Sequence, residues 1–428
     1  MSADELAELI KRYFKPKIGI EDVLYSSPHS FAAVLQSIST EEAVRRTRMF
    51  LNPCDYFAEI MDSDRIQVDK IVEIITDPAV PTDACFRIFN SPKISADRVQ
   101  SILYALVDKL YVDKLLDIMT VTASDATINA SVTVSGGVIY RKLSIASGVT
   151  LTVDGQPGVI IAYNLTNYGV ITKTATGGKG GAAGFDVGKG GDGGGGLIIV
   201  AWEMRGGTYN ANGANGESGY LTSRSGRGAD GGNGLMIRVG TDTPGNGGNG
   251  GGQFGGIGGT PGAGGGGSSG YTPANRAGVI TLVTIDSYET IFKEVLKQAV
   301  DWFIVNVLGK KPSVIKSFYN VYGAGGSGGA DYDGYEDSGG GGGSGGQIIV
   351  AANIVDGGTF NANGGNGGNG GIEGAYDSSG GGGGGGLIYV LCRTLRASPT
   401  FSVAGGAAGS GDNLGQPGTE GMGKVVVI

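Results

Sequence analysis

The sequence is poor in the residues that build most catalytic and metal centres. It holds one histidine, His29, and three cysteines, Cys54, Cys85 and Cys392, in 428 residues. One histidine cannot assemble a His-based metal cluster, and His29, in the helical N-terminal region, is not placed to serve a serine–histidine triad. The cysteines lack C-x-x-C spacing, so neither a zinc site nor a disulfide framework is expected, and no cofactor is implied. Positive charge is scarce: 32 Lys and Arg stand against 40 Asp and Glu, a formal net charge of −8. A nucleic-acid surface needs a basic stripe, so no nucleic-acid partner is expected. No stretch approaches the roughly 18 apolar residues of a membrane span. The longest apolar run, AVDWFIVNVLG from Ala299, carries Asp301 and Asn306. The opening MSADELAELIKRYFKPK has charge throughout and no apolar h-region, so synthesis in the cytosol without a secretory signal is expected. Only 13 prolines and no strict G-X-Y register exclude collagen.

Glycine is what the chain has in excess. It supplies 85 residues, almost all after residue 176, where roughly 7% is usual. Simple disorder does not fit, because apolar strand-like runs recur between the glycine stretches.

The first 120 residues read as helical, in short units punctuated by Ser27-Pro28, Asn52-Pro53, Asp77-Pro78 and Ser91-Pro92. Asp69, Asp83 and Asp97 recur every 14 residues. Each follows a cap-like position and precedes apolar residues at helical spacing. Ser39 with Glu42 fits a capping box. A helix of two to three turns does not stand alone in water, so the units must pack together, as a stacked helical repeat or as an irregular bundle.

Residues 121–176 alternate Val, Ile and Thr with polar residues, which is strand patterning with glycine turns. From there one sentence recurs: GVIYRKLSIAS at Gly137, GVIIAYNLTNY at Gly158, GLIIVAWEMRG at Gly196, GQIIVAANIVDG at Gly346 and GLIYVLCRTLR at Gly386. GLMIRVG at Gly234, GVITLVTI at Gly278 and GKVVVI at Gly423 are partial copies. GGTYNANG from Gly206 and GGTFNANG from Gly357 follow two of the strands. One such unit has an apolar face that it cannot bury by itself; stacked units bury a continuous core. The glycine runs between them fit either flexible linkers or extended polyproline-II-like chains hydrogen-bonded side by side. Strands framing the runs on both sides favour the packed form. Residues 177–286 and 322–428 look like two halves of a duplication. Between them, 287–321 has an apolar helical face that includes Ile291, Val295, Phe303 and Leu308. It reads as a helix capping the first half, or as a subunit contact.

The expected class is therefore multidomain α plus all-β: a helical-repeat domain over 1–120, a strand neck with the first solenoid rungs over 121–176, two glycine-rich β halves and the inserted helix at 287–321. The glycine-rich part is expected to be a β-solenoid or stacked-strand region with polyglycine-II-like segments.

No nucleotide cradle is present. Lys179 and Lys189 lie in glycine runs without the Ser or Thr of a P-loop, and chance G-x-G-x-x-G matches are inevitable in such a chain. Aspartates of calcium-binding repeats do not recur in register. Three loops interrupt the glycine runs with tyrosine and charge: Tyr220, Arg224 and Arg227; Asp331, Tyr332, Asp333, Tyr335, Glu336 and Asp337; and Glu373, Tyr376 and Asp377. Tyrosine rings stack on pyranose faces and carboxylates accept hydroxyls, so these are the candidate receptor-binding loops. The paired acids would also suit glycoside hydrolysis, but no catalytic cluster recurs on the strands.

GGVIYRKLSIASGVTLTVDG, GVIIAYNLTNYGVI and GLIIVAWEMRGGTYNANGANG resemble the glycine-rich β-solenoid repeats of viral and phage tail-fibre, spike and adhesin proteins. The Ser-Pro units of 1–120 resemble short repeats in proteins of thermophilic archaea and their viruses. Strands and a helix among the glycine runs depart from a pure polyglycine sandwich. The resemblance implies a non-enzymatic virion spike or fibre at the virion surface. Residues 1–120 would dock to other virion proteins, and 130–428 would recognise a host surface glycan or protein. A homo-oligomer is expected by analogy. The alternatives are a cell-surface adhesin or filament subunit and a polysaccharide-acting β-solenoid enzyme.

Overall fold

The computed structural model describes residues 28–47, 54–181, 188–219, 230–252, 256–260, 264–266, 276–329, 338–370 and 378–428. The protein is mixed α/β, with eight helices and a large parallel sheet among the described residues. It divides into two compact units, Met1–Ala123 with Leu296–Ser317, and Ser124–Val295 with Phe318–Ile428.

The helical unit contains α1 (Pro28–Ser37), α2 (Thr40–Thr47), α3 (Cys54–Asp62), α4 (Val68–Thr76), α5 (Thr82–Asn90), α6 (Ala96–Asp108) and α7 (Val112–Thr120). Helices α2 to α6 begin 14 residues apart, and each carries an acid at its second residue, from Glu41 to Asp97. Those acids sit where the helix dipole favours negative charge. Each helix packs against the next but one, α1 on α3 through α5 on α7. Side chains reach across the same interval: Ser91 Oγ donates to Asp55 at 2.5 Å, and Ser95 N and Oγ donate to Asp62 at 2.8 and 2.7 Å. The Ser39 cap forms, with Glu42 N donating to its Oγ at 3.3 Å. The carboxylate of Glu42 turns instead to Arg45 and Arg46, whose hydrogen bonds lower its pKa to about 2.

The inserted helix, α8, spans Tyr288–Asn306 and stops short of the expected end at 321. It is not simply a cap on the first glycine-rich half, because the chain from Leu296 to Ser317 belongs to the helical unit. The reason is a buried acid. Asp301 is fully buried and accepts hydrogen bonds from Gln100 Nε2 (2.7 Å), Tyr104 Oη (2.7 Å) and Lys316 N (2.6 Å). Three donors satisfy a carboxylate that burial alone would expel. Lys310 Nζ donates to the carbonyls of Ser91 and Ile94, both at 2.6 Å, and so ties the segment after α8 to the same unit.

The second unit is built on an 11-stranded parallel sheet: β1 (Asp125–Ile128), β2 (Val132–Ile145), β3 (Thr150–Asn167), β4 (Val170–Thr172), β5 (Gly196–Arg205), β6 (Thr208–Asn210), β9 (Gln347–Asp356), β10 (Thr359–Asn361), β11 (Leu387–Ala397), β12 (Thr400–Ser402) and β13 (Met422–Val427). Its path is β12-β10-β6-β4-β3-β5-β9-β11-β13, with β2 on β3 and β1 on β2. The strands of residues 121–176 pair directly with the glycine-rich copies. Long strand β3 joins the two arms of the path, its first residues pairing with β4 and its later ones with β5. A long strand, a glycine corner and a three-residue strand recur in β5–β6 and β9–β10. The corners are Gly206-Gly207 and Gly357-Gly358, all four at positive φ, where a side chain would be strained.

Equivalent residues stack in register. Ile171, Tyr209, Phe360 and Phe401 form one column, with Tyr209 and Phe360 stacked at 4.7 Å. Ile199, Val350, Val390 and Val425 form another, in the same core. The partial copies β7 (Gly234–Val239) and β8 (Ile280–Ile285) do not enter this sheet; they form a parallel pair of their own. The buried amide of Gln347 holds β7, accepting from Ile237 N at 2.9 Å and donating to Ile237 O at 2.7 Å.

The described glycine runs pack side by side. In 338–346 the donors point three ways in turn. Gly340, Gly343 and Gly346 donate to the carbonyls of Glu217, Ala214 and Ala211 at 2.9, 2.9 and 2.7 Å. Gly341 and Ser344 donate to Ser327 and Ala324, and Gly339, Gly342 and Gly345 to Ser378, Gly381 and Gly384. The period of three residues is that of a polyproline-II chain, which has no hydrogen bonds within itself and must find them outside. The close approach leaves no room for a side chain. A Cβ on Gly342 would lie 1.9 Å from Gly365 O, and one on Gly345 would lie 2.0 Å from Ala362 O.

Gly342→Ala is therefore expected to destabilise the second unit by about 3 kcal/mol through overpacking. Gly240→Ala, at φ +56° with nothing within 4 Å, should cost about 1 kcal/mol from backbone strain alone. Calorimetric unfolding of the two variants separates lack of space from lack of conformational freedom.

Candidate functional site

The repeated NANG motif has a mechanical role at the edge of the glycine packing. Asn212, Asn215 and Ser218 lie three residues apart, as do Asn363, Asn366 and Asn369. The side-chain oxygens of the first set accept from the backbone N–H of the second set at 2.8, 2.8 and 3.3 Å. The asparagines of the second set accept in turn from Ala404, Ala407 and Ser410, each at 2.9 Å. The carbonyls of Asn363, Asn366 and Asn369 meanwhile accept from Gly213, Gly216 and Gly219. A side-chain oxygen every third residue, an amide at five of the six positions, thus supplies an acceptor to each edge donor, where glycine would leave it to water. The ladder ends at 404, 407 and 410, where Ala, Ala and Ser offer no amide.

All the receptor-loop residues singled out from sequence, from Tyr220 to Asp377, lie outside the described residues. The residues that bracket them are described. Gly329 N donates to Gly188 O at 3.0 Å, and Gly188 N donates to Ser338 O at 2.8 Å. Ser338 bridges to Ser378, and Ser378 to Asn413. Gly219 N donates to Asn369 O, and Gly370 N donates to Ser410 O. By the chain trace, these residues share the end of the glycine packing remote from the strands. The three tyrosine- and charge-bearing segments thus begin or end on neighbouring, mutually hydrogen-bonded backbone.

A buried polar cluster, which sequence reading missed, lies elsewhere in this unit. Asp242, just after β7, is 4% exposed. It accepts from Lys424 Nζ (2.5 Å), Tyr288 Oη (2.6 Å) and Tyr389 Oη (3.1 Å). Lys424 Nζ also donates to Tyr288 Oη at 2.8 Å. Burial raises the Asp242 pKa, but the three hydrogen bonds outweigh it and the net shift is downward. The hydrogen bonds to Asp242 and Tyr288 raise that of Lys424. Burial raises both tyrosines, and the neighbouring carboxylate adds to it. The four side chains bond chiefly to one another and so join the segment after β7, the start of α8, β11 and β13. No cluster of three or more metal-ligating side chains is present among the described residues, and no helix among them is long and apolar enough to cross a membrane.

A second polar arrangement faces outward on the large sheet. Lys142, Asn164 and Glu203 are register partners, as are Ser144, Thr166 and Arg205. They line a cleft of about 360 Å³ together with Tyr168. Aligning the repeats on their first glycine hides this row, because Gly137 pairs with Val159 and Gly158 with Leu197. The register slips one residue at each of these two pairings. The usable signal is the polar residue that follows an arginine or an aromatic within each apolar run: Arg141-Lys142, Tyr163-Asn164, Trp202-Glu203.

The chain matches no protein-family model, no curated protein and no solved structure. Its functional reading therefore rests on its own residues.

Two outcomes are expected. Asn363→Ala removes the acceptor for Ser402 Oγ and Ala404 N and should cost about 1–2 kcal/mol in unfolding free energy. Asp242, with a lowered pKa, contributes stability that is complete above its unfolded value near 3.9 and is lost as pH falls through the folded one. Lys424, with a raised pKa, contributes stability that is complete below about 10.4 and is lost as pH rises through its folded value. In melting temperature against pH, Asp242→Asn should flatten both limbs, and Lys424→Met should cost about 2 kcal/mol near neutrality.

Proposed function

We propose that this protein is a non-enzymatic attachment protein, a structural component of a viral spike or fibre. In this reading the stacked strands are the rungs of a β-solenoid. The glycine runs are polyglycine-II-like supports for recognition loops that contact a host surface glycan or protein. The helical unit docks to other virion proteins, and the chain acts as a homo-oligomer.

The observation that carries the reading is the shared base of the three loops. Gly219, Gly329, Ser338, Gly370 and Ser378 are hydrogen-bonded to their neighbours at one end of a packing whose interior glycines leave no space for a Cβ. Such a packing is unusually stiff for its mass, because each chain is bonded laterally in several directions. Stiffness at the base lowers the entropy that tyrosine- and charge-bearing loops lose on binding. Variable loops on a rigid scaffold are a common site of recognition.

Immunogold electron microscopy with antibody against residues 322–428 tests the location. Label on released particles, at vertices or tails, is expected. Label on cell walls or filaments would transfer the reading to a cellular adhesin, and diffuse cytosolic label would overturn attachment altogether. Replacing residues 331–337 by a Gly-Ser segment of equal length should leave the melting temperature unchanged and abolish adsorption to host cells.

A further inference from the structure

We infer that copies of this chain join head to tail through the two open ends of the large sheet, the β13 end of one copy seating on the β2 end of the next. The inference rests on the strand registers. Of the attachment reading it shares only the homo-oligomer, to which it gives a geometry.

The two ends fit because each carries part of one layer. A complete layer is a long strand, a corner and a short strand, and the long strands of the complete layers lie in β2, β3, β5, β9 and β11. Beyond the last of them, β13 supplies only the first half of a long strand. Through the registers, Val427 falls in the column of Cys392, Ala352, Ala201, Ala162 and Tyr140. Beyond the first, β1 supplies only the second half, beginning with Asp125 opposite Lys142. The short strand of that layer follows in Val132–Val134, opposite Leu151–Val153. Thus β13 of one copy, with β1 and the start of β2 from the next, composes one complete layer. The two halves meet at the column of Arg141.

The core runs out at both ends in the same columns. Ile160, Ile199, Val350 and Val390 are fully buried, and their column ends in Val138 and Val425, both only partly buried. The column of Leu165 and Met204 ends in Ala126 and Leu395. That of Tyr209 and Phe360 ends in Phe401 and in Val132, which is 40% exposed. Head-to-tail stacking places Val425 on Val138, Leu395 on Ala126 and Phe401 on Val132, and so removes three apolar column ends from water on each copy.

The backbone donors agree with this register. Met422 N donates to Gly386 O and Ile428 N to Cys392 O. By the two-residue period of a strand, Gly423, Val425 and Val427 turn their N–H away from β11. Thr208 N donates to Gly169 O, toward the β2 end, and Asn210 has the same sense. Thr133 is the equivalent of Asn210 on β2, and no strand among the described residues pairs beyond it. Unpaired edges of this kind are templates for another chain. Charge agrees in sign: the second half of β11 carries Arg393 and Arg396, and β1, which would face it, carries Asp125. Roughly a dozen residues a side take part, about half of a standard interface, so association is expected at micromolar concentration or above. A heterologous joint leaves one open end on each copy, so it propagates into a filament. Six layers a copy, the shared one included, set an axial rise of about 29 Å.

Analytical ultracentrifugation of the full chain from about 1 μM to 1 mM tests this. The weight-average mass should rise beyond that of the monomer, and micrographs of the concentrated sample should show filaments with a rise of about 29 Å. Val427→Pro blocks the β13 end and Thr133→Pro the β2 end. Both positions are exposed, with Val427 at 58%, and each proline removes an outward N–H that an edge strand does not use. Each variant alone should stay monomeric over the same range, because it keeps one competent end and lacks the complement. Their equimolar mixture should form dimers and nothing larger, with melting temperatures unchanged. Should either proline lower the melting temperature, lysine at the same position takes its place. A wild-type chain that is monomeric at about 1 mM, self-association of either folded variant, or a mixture that stays monomeric would overturn the inference. Self-association of Thr133→Pro alone would indicate pairing of β13 with itself instead. The chain with residues 331–337 replaced should assemble as the wild type does, so failure of assembly and failure of host recognition are read separately.

Discussion

The second unit depends on hydrogen bonds between backbones that have no side chains to hold them apart. An extended chain with three residues per turn cannot satisfy its own N–H and C=O groups, so each must find a neighbour. Around 338–346 those neighbours come from segments as distant in sequence as 211–217 and 378–384. Contact is so close that a Cβ at Gly342 or Gly345 would overlap a carbonyl oxygen. The high backbone entropy of glycine opposes this order. The strands that precede and follow each run offset that cost by fixing its ends.

Those strands obtain their own order from stacking. Each long strand buries apolar residues against register partners above and below, and the Tyr209–Phe360–Phe401 column adds aromatic contact along the same direction. Corners with positive φ let a long strand pass into a short one within two residues. The asparagines then carry the strand register outward into the glycine runs, since each amide fixes which N–H of the next copy lies opposite.

Both units place a carboxylate where water is excluded and solve the problem in the same way. Asp301 and Asp242 are each surrounded by three donors from separated segments of their own unit. Such networks are costly when half satisfied and specific when complete. They explain how Lys316, after α8, is tied back to the helix through Asp301, and how β7 and β13, nearly 190 residues apart, are held together around a single carboxylate.

The sequence by itself determined the local periods. The 14-residue helix spacing, the recurring apolar strand and the three-residue Asn step are all legible, because each follows from the geometry of one element. The exclusion of side chains from the glycine runs is legible for the same reason. Tertiary structure alone decided which copies pair. Gly234 and Gly278 begin strands that look like the others, yet β7 and β8 stand apart from the large sheet. A slip of one residue between β2 and β3 and again between β3 and β5 also placed Lys142, Asn164 and Glu203 in one row that no alignment on glycine reveals. The loops chosen for their tyrosines and acids were visible as composition, but the closeness of their bases was not, since it depends on lateral hydrogen bonds between runs that look alike. Pairing between similar segments is a global property: every local choice is nearly equivalent, and only the complete set of registers satisfies all the buried donors at once.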